Sequence, residues 1–249
     1  MKRQAIHPTS KFRAVFFSLA LAFCAVLCMA SCSRAMPSDM EVAEHIARLL
    51  GEEFKPEIIT VTVKESRAYA EMKGATMSKI RIDTMKLDAL LTNRDQKLED
   101  DVDSLPNLIG FSRGELVLAE RDLNAYFGEY EKRGFSNLKF DFKPEGFRAE
   151  GVFSATFLFT IKIRLAATGI LSLGSDGVYL DKLKVYTENI QQPEMLTDQI
   201  LSRVNPLIEW TQIPFKVEFK EIVMDGEAAR MTGYPKPIEG GSTAVWQRP

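Results

Sequence analysis

The stretch "GFSRG", Gly110 to Gly114, has the spacing G-x-S-x-G. That spacing presents a nucleophilic serine on a sharp strand-to-helix turn in one hydrolase architecture, where the acid and then the histidine follow the serine along the chain. An acyl-transfer serine needs such a base to take its proton. The sequence holds two histidines, His7 and His45, and both precede Ser112. The residues after the motif, "ELVLAE", read as a strand, so the motif runs from turn into strand where a helix is required. Ser112 therefore reads as a polar residue at the start of a strand, and a serine esterase is only a remote alternative. His45 falls opposite the apolar stripe of a short helix, without a second histidine or cysteine to share a metal, and reads as a surface residue. The acidic run in "RDQKLEDDVDSLPN" lacks the regular spacing and the glycine of a calcium loop and reads as a solvated turn. No catalytic constellation, metal site or cofactor site is read, and the expectation is a protein that is not an enzyme.

The cysteines point to a different chemistry. Lys2, Arg3, Lys11 and Arg13 precede an apolar run from Ala14 to Ala30, interrupted only by Ser18, which is the pattern of a secretory signal. The run is marginal as a retained membrane span, which needs about 20 apolar residues. "MASC", Met29 to Cys32, resembles the lipobox of bacterial lipoproteins, in which the cysteine is acylated and becomes the first residue of the mature chain. Under cleavage by the ordinary signal peptidase, Cys32 is instead an incidental thiol. In the lipoprotein reading Cys24 and Cys28 leave with the signal, so no disulfide or cysteine metal site remains. Ser33 is not the aspartate that retains such proteins at the inner membrane. The expected location is thus the bacterial envelope, lipid-anchored on the periplasmic side, at the outer membrane where the host has one.

A net charge of -2 and a pI near 5.9 leave no electrostatic footprint for nucleic acid. With 45% hydrophobic and 27% charged residues, the chain has the composition of an ordinary folded protein. After the signal, about 218 residues remain, the length of one large domain or two small ones.

The elements that would position any site follow from periodicity. Ser38 reads as the N-cap of a helix with Val42, Ile46, Leu49 and Leu50 at helical spacing. "EIITVTVKE", "RAYAEMKG" and "SKIRIDTMKLDALL" alternate as strands, the third slipping after Thr84. "GELVLAERDLNAYFGEYEKRGF" is a strand and then a helix whose Leu123, Tyr126, Phe127 and Tyr130 share a face, closed by Gly134. "NLKFDFKPEGFRAEGVF" is a hairpin turning at Pro144 to Gly146. Phe157, Phe159, Ile161, Ile163 and Leu165 then point one way and Thr160, Lys162 and Arg164 the other. The run to Leu173 is long against a usual strand of about 3–10 residues, so it is either one curved strand or two bent near Gly169. "GSDG" turns it into an antiparallel return over Val178 to Tyr186. "PEMLTDQILSRVNPLIEW" reads as a third helix with Leu196, Ile200, Val204, Leu207 and Ile208 on one face, kinked at Pro206. Phe215, Val217 and Phe219 alternate with Lys216, Glu218 and Lys220 in a closing strand. The class is α+β with a mostly antiparallel sheet.

The order of these segments is similar to the LmeA-like phospholipid-binding family of bacterial envelope proteins. There a strand leads into a "dLN" helix, a hairpin and long strands follow, and a late amphipathic helix ends shortly before an "xPf" strand. The matches are Asp122-Leu123-Asn124, Asn205-Pro206-Leu207 and Ile213-Pro214-Phe215, within a likeness spanning about residues 57 to 233. The family often has Ser or Thr before the middle helix, where this chain has Ala119. The resemblance implies a fold similar to the TULIP (tubular lipid-binding) domains, a long, strongly curved sheet wrapped around a long amphipathic helix. It also implies a partner, a phospholipid or other acyl lipid, in an apolar sheet–helix groove; lipid sites are largely apolar, with few polar groups. The lining expected from the sheet is Phe157, Phe159, Ile161, Ile163, Phe215, Val217 and Phe219, and from the helix Ile200, Val204 and Ile208. Residues 1–31 are then the lipoprotein signal, 32–38 a tether from acylated Cys32, 39–233 the lipid-binding domain, and 234–249 a Pro/Gly-rich tail expected to be disordered. The alternative from another class is an envelope scaffold or interaction protein whose apolar faces are all core.

Overall fold

The computed structural model describes residues 36–95, 97–128, 134–156, 160–187 and 193–249. The signal, Cys32, Tyr130, Phe157 and Phe159 lie outside them. Ser38 starts the first helix, α1 (Asp39–Phe54), through a full capping box. Its Oγ accepts from Glu41 N–H and its own N–H donates to the Glu41 carboxylate, so two of the orphan donors of the first turn are satisfied. Val42, Ile46, Leu49 and Leu50 are buried as their spacing predicts.

Three strands follow: β1 (Ile58–Lys64), β2 (Arg67–Met77) and β3 (Ile80–Leu91). The slip in β3 has a cause in β2. Gly74 sits at a φ of +64°, and the ladder passes from Lys73–Thr84 to Ala75–Ile82 across it. The inward set therefore changes phase, from Ile80 and Ile82 to Met85, Leu87 and Ala89. The acidic loop next forms a 3-10 turn and a short helix, α2 (Leu105–Leu108), whose two leucines are buried. Then come β4 (Ile109–Ala119), α3 (Glu120–Gly128), β5 (Phe135–Lys143), β6 (Gly146–Thr156), β7 (Thr160–Leu173), β8 (Gly177–Tyr186) and α4 (Pro193–Val204). The chain ends with β9 (Ile208–Glu209), β10 (Val217–Glu218), β11 (Glu221–Met224), β12 (Ala228–Thr232) and β13 (Ser242–Gln247).

Two sheets result. The first runs β11-β12-β4-β3-β2-β1-β13, with β10 beside β4; the second runs β5-β6-β7-β8-β9. Every pairing is antiparallel except β10 with β4. The class is α+β with four α-helices among the described residues, and one sheet is strongly curled into a half-barrel.

Three expectations are corrected. The tail is not disordered: Ser242–Gln247 pairs along six of the seven residues of β1, from Ile58–Gln247 to Val63–Ser242. The Trp246 indole lies so close to α1 that a Cβ on Gly51 would stand 2.5 Å from it, and the compact unit extends to Pro249. The third helix does not continue through a kink but ends at Val204. A proline has no N–H to donate and pushes the residue before it out of helical conformation, so Ile208 leaves the helix and pairs with Val178 in β9. The closing strand is broken as well: Phe215 precedes β10, which is two residues long, and β11 and β12 form a separate hairpin. Of the two alternatives left open for the run to Leu173, the single strand is found: β7 is continuous, and its register shifts between Thr168 and Ile170, where the Phe147 ring and the Asp181 carbonyl crowd Gly169.

Candidate functional site

Ser112 is fully buried inside β4, and its hydroxyl donates to the Lys216 carbonyl at 2.7 Å. The two glycines of the motif have packing reasons. A Cβ on Gly110 would strike Thr92, and one on Gly114 would strike Val217 and Phe219. The motif is the seat on which the segment carrying β10 lies. His45 is not a surface residue but buried. The loop that follows β3 folds back over α1, enclosing a cavity of about 30 Å³ between His45, Lys97, Leu98, Ser104 and Leu108. Burial, with Arg48 beside it, holds the His45 pKa below the ordinary histidine value. Arg48 in turn pairs with Asp100 of that loop at 2.6 Å.

The apolar seam lies between the second sheet and α4. Strand alternation delivers Phe135, Leu138 and Phe140 from β5, Phe147 and Ala149 from β6, Leu165 and Ala167 from β7, and Leu180 from β8. Ile200 and Val204, one helical turn apart on α4, face them. The rings form a connected set: Phe135 packs at 5.0 Å on Phe153 and Phe140 at 5.4 Å on Phe147, while Phe127 of α3 reaches both Phe135 and Phe140. The cavity left between these side chains is about 20 Å³, room for one water molecule. At one end the Arg203 guanidinium lies 4.9 Å over the Phe153 ring and donates to the Ser154 carbonyl.

Of the residues expected in a groove, Ile200 and Val204 line this seam. Ile163 is half-buried and packs on the core, and the side chain of Ile161 lies outside what is described. Ile208 is fully buried on β9. Phe215, Val217 and Phe219 do not join the seam. Phe215 is buried in the core, Val217 pairs beside Ser112 of β4, and Phe219 stacks on Trp210 at 4.6 Å.

Two motif asparagines hold the helices against the second sheet. The Asn124 side chain accepts from Phe140 N–H at 2.6 Å and donates to the Phe140 carbonyl at 2.9 Å. The Asn205 side chain does the same with Leu180, at 2.8 and 2.9 Å. Each amide imitates a peptide group and occupies ladder positions on a strand that would otherwise present unpaired groups. Asp122, one residue before Leu123, is buried and takes the Arg81 guanidinium of β3 at 2.9 Å. Thus α3 clips the two sheets together, Asp122 to the first and Asn124 to the second. The missing Ser or Thr cap is offset by the Glu227 carbonyl, which accepts from Glu120 N–H.

Among the described residues no three His, Cys, Asp or Glu side chains converge as metal ligands, and no helix is long and apolar enough to cross a membrane. No family model, no curated protein and no solved structure matches this chain.

Proposed function

We propose that this chain is a lipid-anchored protein of the bacterial envelope, acylated on Cys32, that seats an acyl chain of a phospholipid between the second sheet and α4. In that reading the sheet curls about the helix in a TULIP-like manner, and the protein works by partition and shielding without making bonds. The observation that carries it is the seam: every residue lining it is apolar. The order of strand, "DLN" helix, hairpin and late helix also agrees with the LmeA-like resemblance.

The seam as it stands holds about 20 Å³, against roughly 300 Å³ or more for a ligand pocket. An acyl chain enters only if α4 moves away from the sheet. The fastenings near its C-terminal end, Arg203 to Ser154 and Asn205 to Leu180, make that end the pivot. The closed seam equally favours the second reading, an envelope scaffold with a solid core.

Native mass spectrometry separates the two. Delipidated protein incubated with phosphatidylethanolamine–phosphatidylglycerol vesicles is expected to retain phospholipid. Ile200→Phe fills the seam at an overpacking cost of about 1–3 kcal/mol and is expected to abolish retention, whereas Ser202→Phe on the exposed side of α4 leaves it intact. Wild-type protein that retains no phospholipid refutes the lipid seat and leaves the scaffold.

A further inference from the structure

We infer that the end of the domain next to the tether is a membrane-contact face, with Leu90 and Phe111 inserted among lipid headgroups. This rests on the reading of Cys32 as the anchor and adds which surface meets the bilayer. Asp39, the first residue of α1, lies seven residues beyond Cys32, and seven residues span at most about 25 Å. The start of α1 is therefore held within that distance of the membrane.

Arg94 shows what else lies at this end. Its guanidinium donates to the Pro37 carbonyl, pairs with Asp39 at 2.7 Å and donates to the Glu65 carbonyl in the β1–β2 turn. Ser66 of the same turn accepts from Leu91 N–H. Leu90 stands directly across from Phe111 at the adjoining ends of β3 and β4.

Here three large apolar side chains are open to solvent: Met40 is 42% exposed, Leu90 48% and Phe111 41%. Single exposed apolar residues are ordinary. Grouped on the one end that a short tether must hold at a lipid surface, these have an occupant. The exposed Lys64 precedes the turn, and the Arg113 guanidinium, which also pairs with the Glu218 carboxylate at 3.7 Å, lies 5.5 Å over the Phe111 ring, so Lys64 is the cation placed where anionic headgroups attract it. Asp39, the carboxylate at the start of α1, is already neutralised by Arg94. Glu65 is an exposed carboxylate of this end, so apolar insertion rather than net charge carries the contact. Asp100 of the acidic loop is set back beside Arg48, some 15 Å along α1 at 1.5 Å per residue.

The test uses full-length acylated protein in mixed phosphatidylethanolamine–phosphatidylglycerol vesicles, with a nitroxide at Leu90→Cys, Phe111→Cys or Val223→Cys. Val223 is also exposed, and its row of strand partners, Arg230 and Val117, meets β3 at Thr84, about 20 Å from Leu90 at 3.3 Å per residue. Labels at 90 and 111 are expected to relax with oxygen and be shielded from a water-soluble nickel chelate, and the label at 223 to show the reverse. As a check free of labels, exchange of the Gly110 to Ser112 amides should slow several-fold on vesicles. Protein that floats with the vesicles but shows 90 and 111 as nickel-accessible as 223, or shows no slowing, overturns the contact face while the anchor stands. Protein that does not float overturns the anchor and the face together.

Discussion

Replacing Asn205 by alanine removes the amide that pairs with both backbone groups of Leu180, at 2.8 and 2.9 Å. The side chain lost is small, and its packing matters little beside the two orphaned groups. Leu180 is itself buried, so its N–H and C=O lose their partners where water reaches them poorly. An unsatisfied buried group costs about 1–3 kcal/mol. Because Asn205 is only half-buried, some hydration of the gap is available, and the pair together should cost about 2–4 kcal/mol. For a domain of this size each kcal/mol lowers the melting temperature by about 2–4 °C, so Asn205→Ala should melt roughly 4–16 °C lower. Asn205→Asp keeps the acceptor for Leu180 N–H and loses the donor, and should fall between. Circular dichroism melts give the temperatures, and amide exchange at Leu180 should accelerate in the same order. A loss below 2 °C with unchanged exchange at Leu180 would show that the amide does not hold α4 to β8, and the pivot assigned to that end of α4 would fall with it.

Asn124→Ala, by the same reasoning at Phe140 on the opposite edge of that sheet, should cost about 2–4 kcal/mol, read as a shift of the urea midpoint. Ser112→Ala leaves the Lys216 carbonyl without its donor and should cost about 1–3 kcal/mol. Hydrolysis of a p-nitrophenyl ester should be the same before and after; turnover lost in the variant would revive the esterase. Trp246→Ala should destabilise by about 2–4 kcal/mol, toward the low end of aromatic truncations, and expose α1 to proteolysis; an unchanged melt would return 234–249 to the status of a loose tail. His45 has a depressed pKa in the folded protein, so the unfolded chain binds the extra proton first. Stability is then full above the ordinary histidine pKa of 6.5 and falls as the pH drops below it toward the folded value. Melts across that range should slope in the wild type and flatten in His45→Gln.

Whatever depends on neighbours a few residues away is readable in the chain. The capping box of Ser38 and Glu41, the turns at Pro144 and at Gly174 to Gly177, and the inward phase of each strand all arise from contacts within about one helical turn or one hairpin. So does the end of α4, since Pro206 cannot donate within a helix; the apolar stripe running past it disguised this. Ile200 and Val204 were legible as an inward face for the same reason.

What covers those faces was not legible, because it comes from far along the chain. Ser242–Gln247 is a strand only because β1 offers it an open edge, and six residues of mixed polarity carry no sign of that edge. His45 sits on the polar side of its own helix and is buried by a loop some fifty residues later. Asn124 and Asn205 stood out only as motif letters; their meaning is the peptide groups of Phe140 and Leu180, which the folded sheet brings beside them. Phe215, Val217 and Phe219 share a period with the seam residues, yet Val217 and Phe219 pack against Gly114 of β4 and Phe215 is buried in the core outside the seam. Periodicity fixes which side of an element is apolar, but the partner of that side, and the space left between them, is set by how the sheets close, since burial is non-directional and rewards any fit that excludes water.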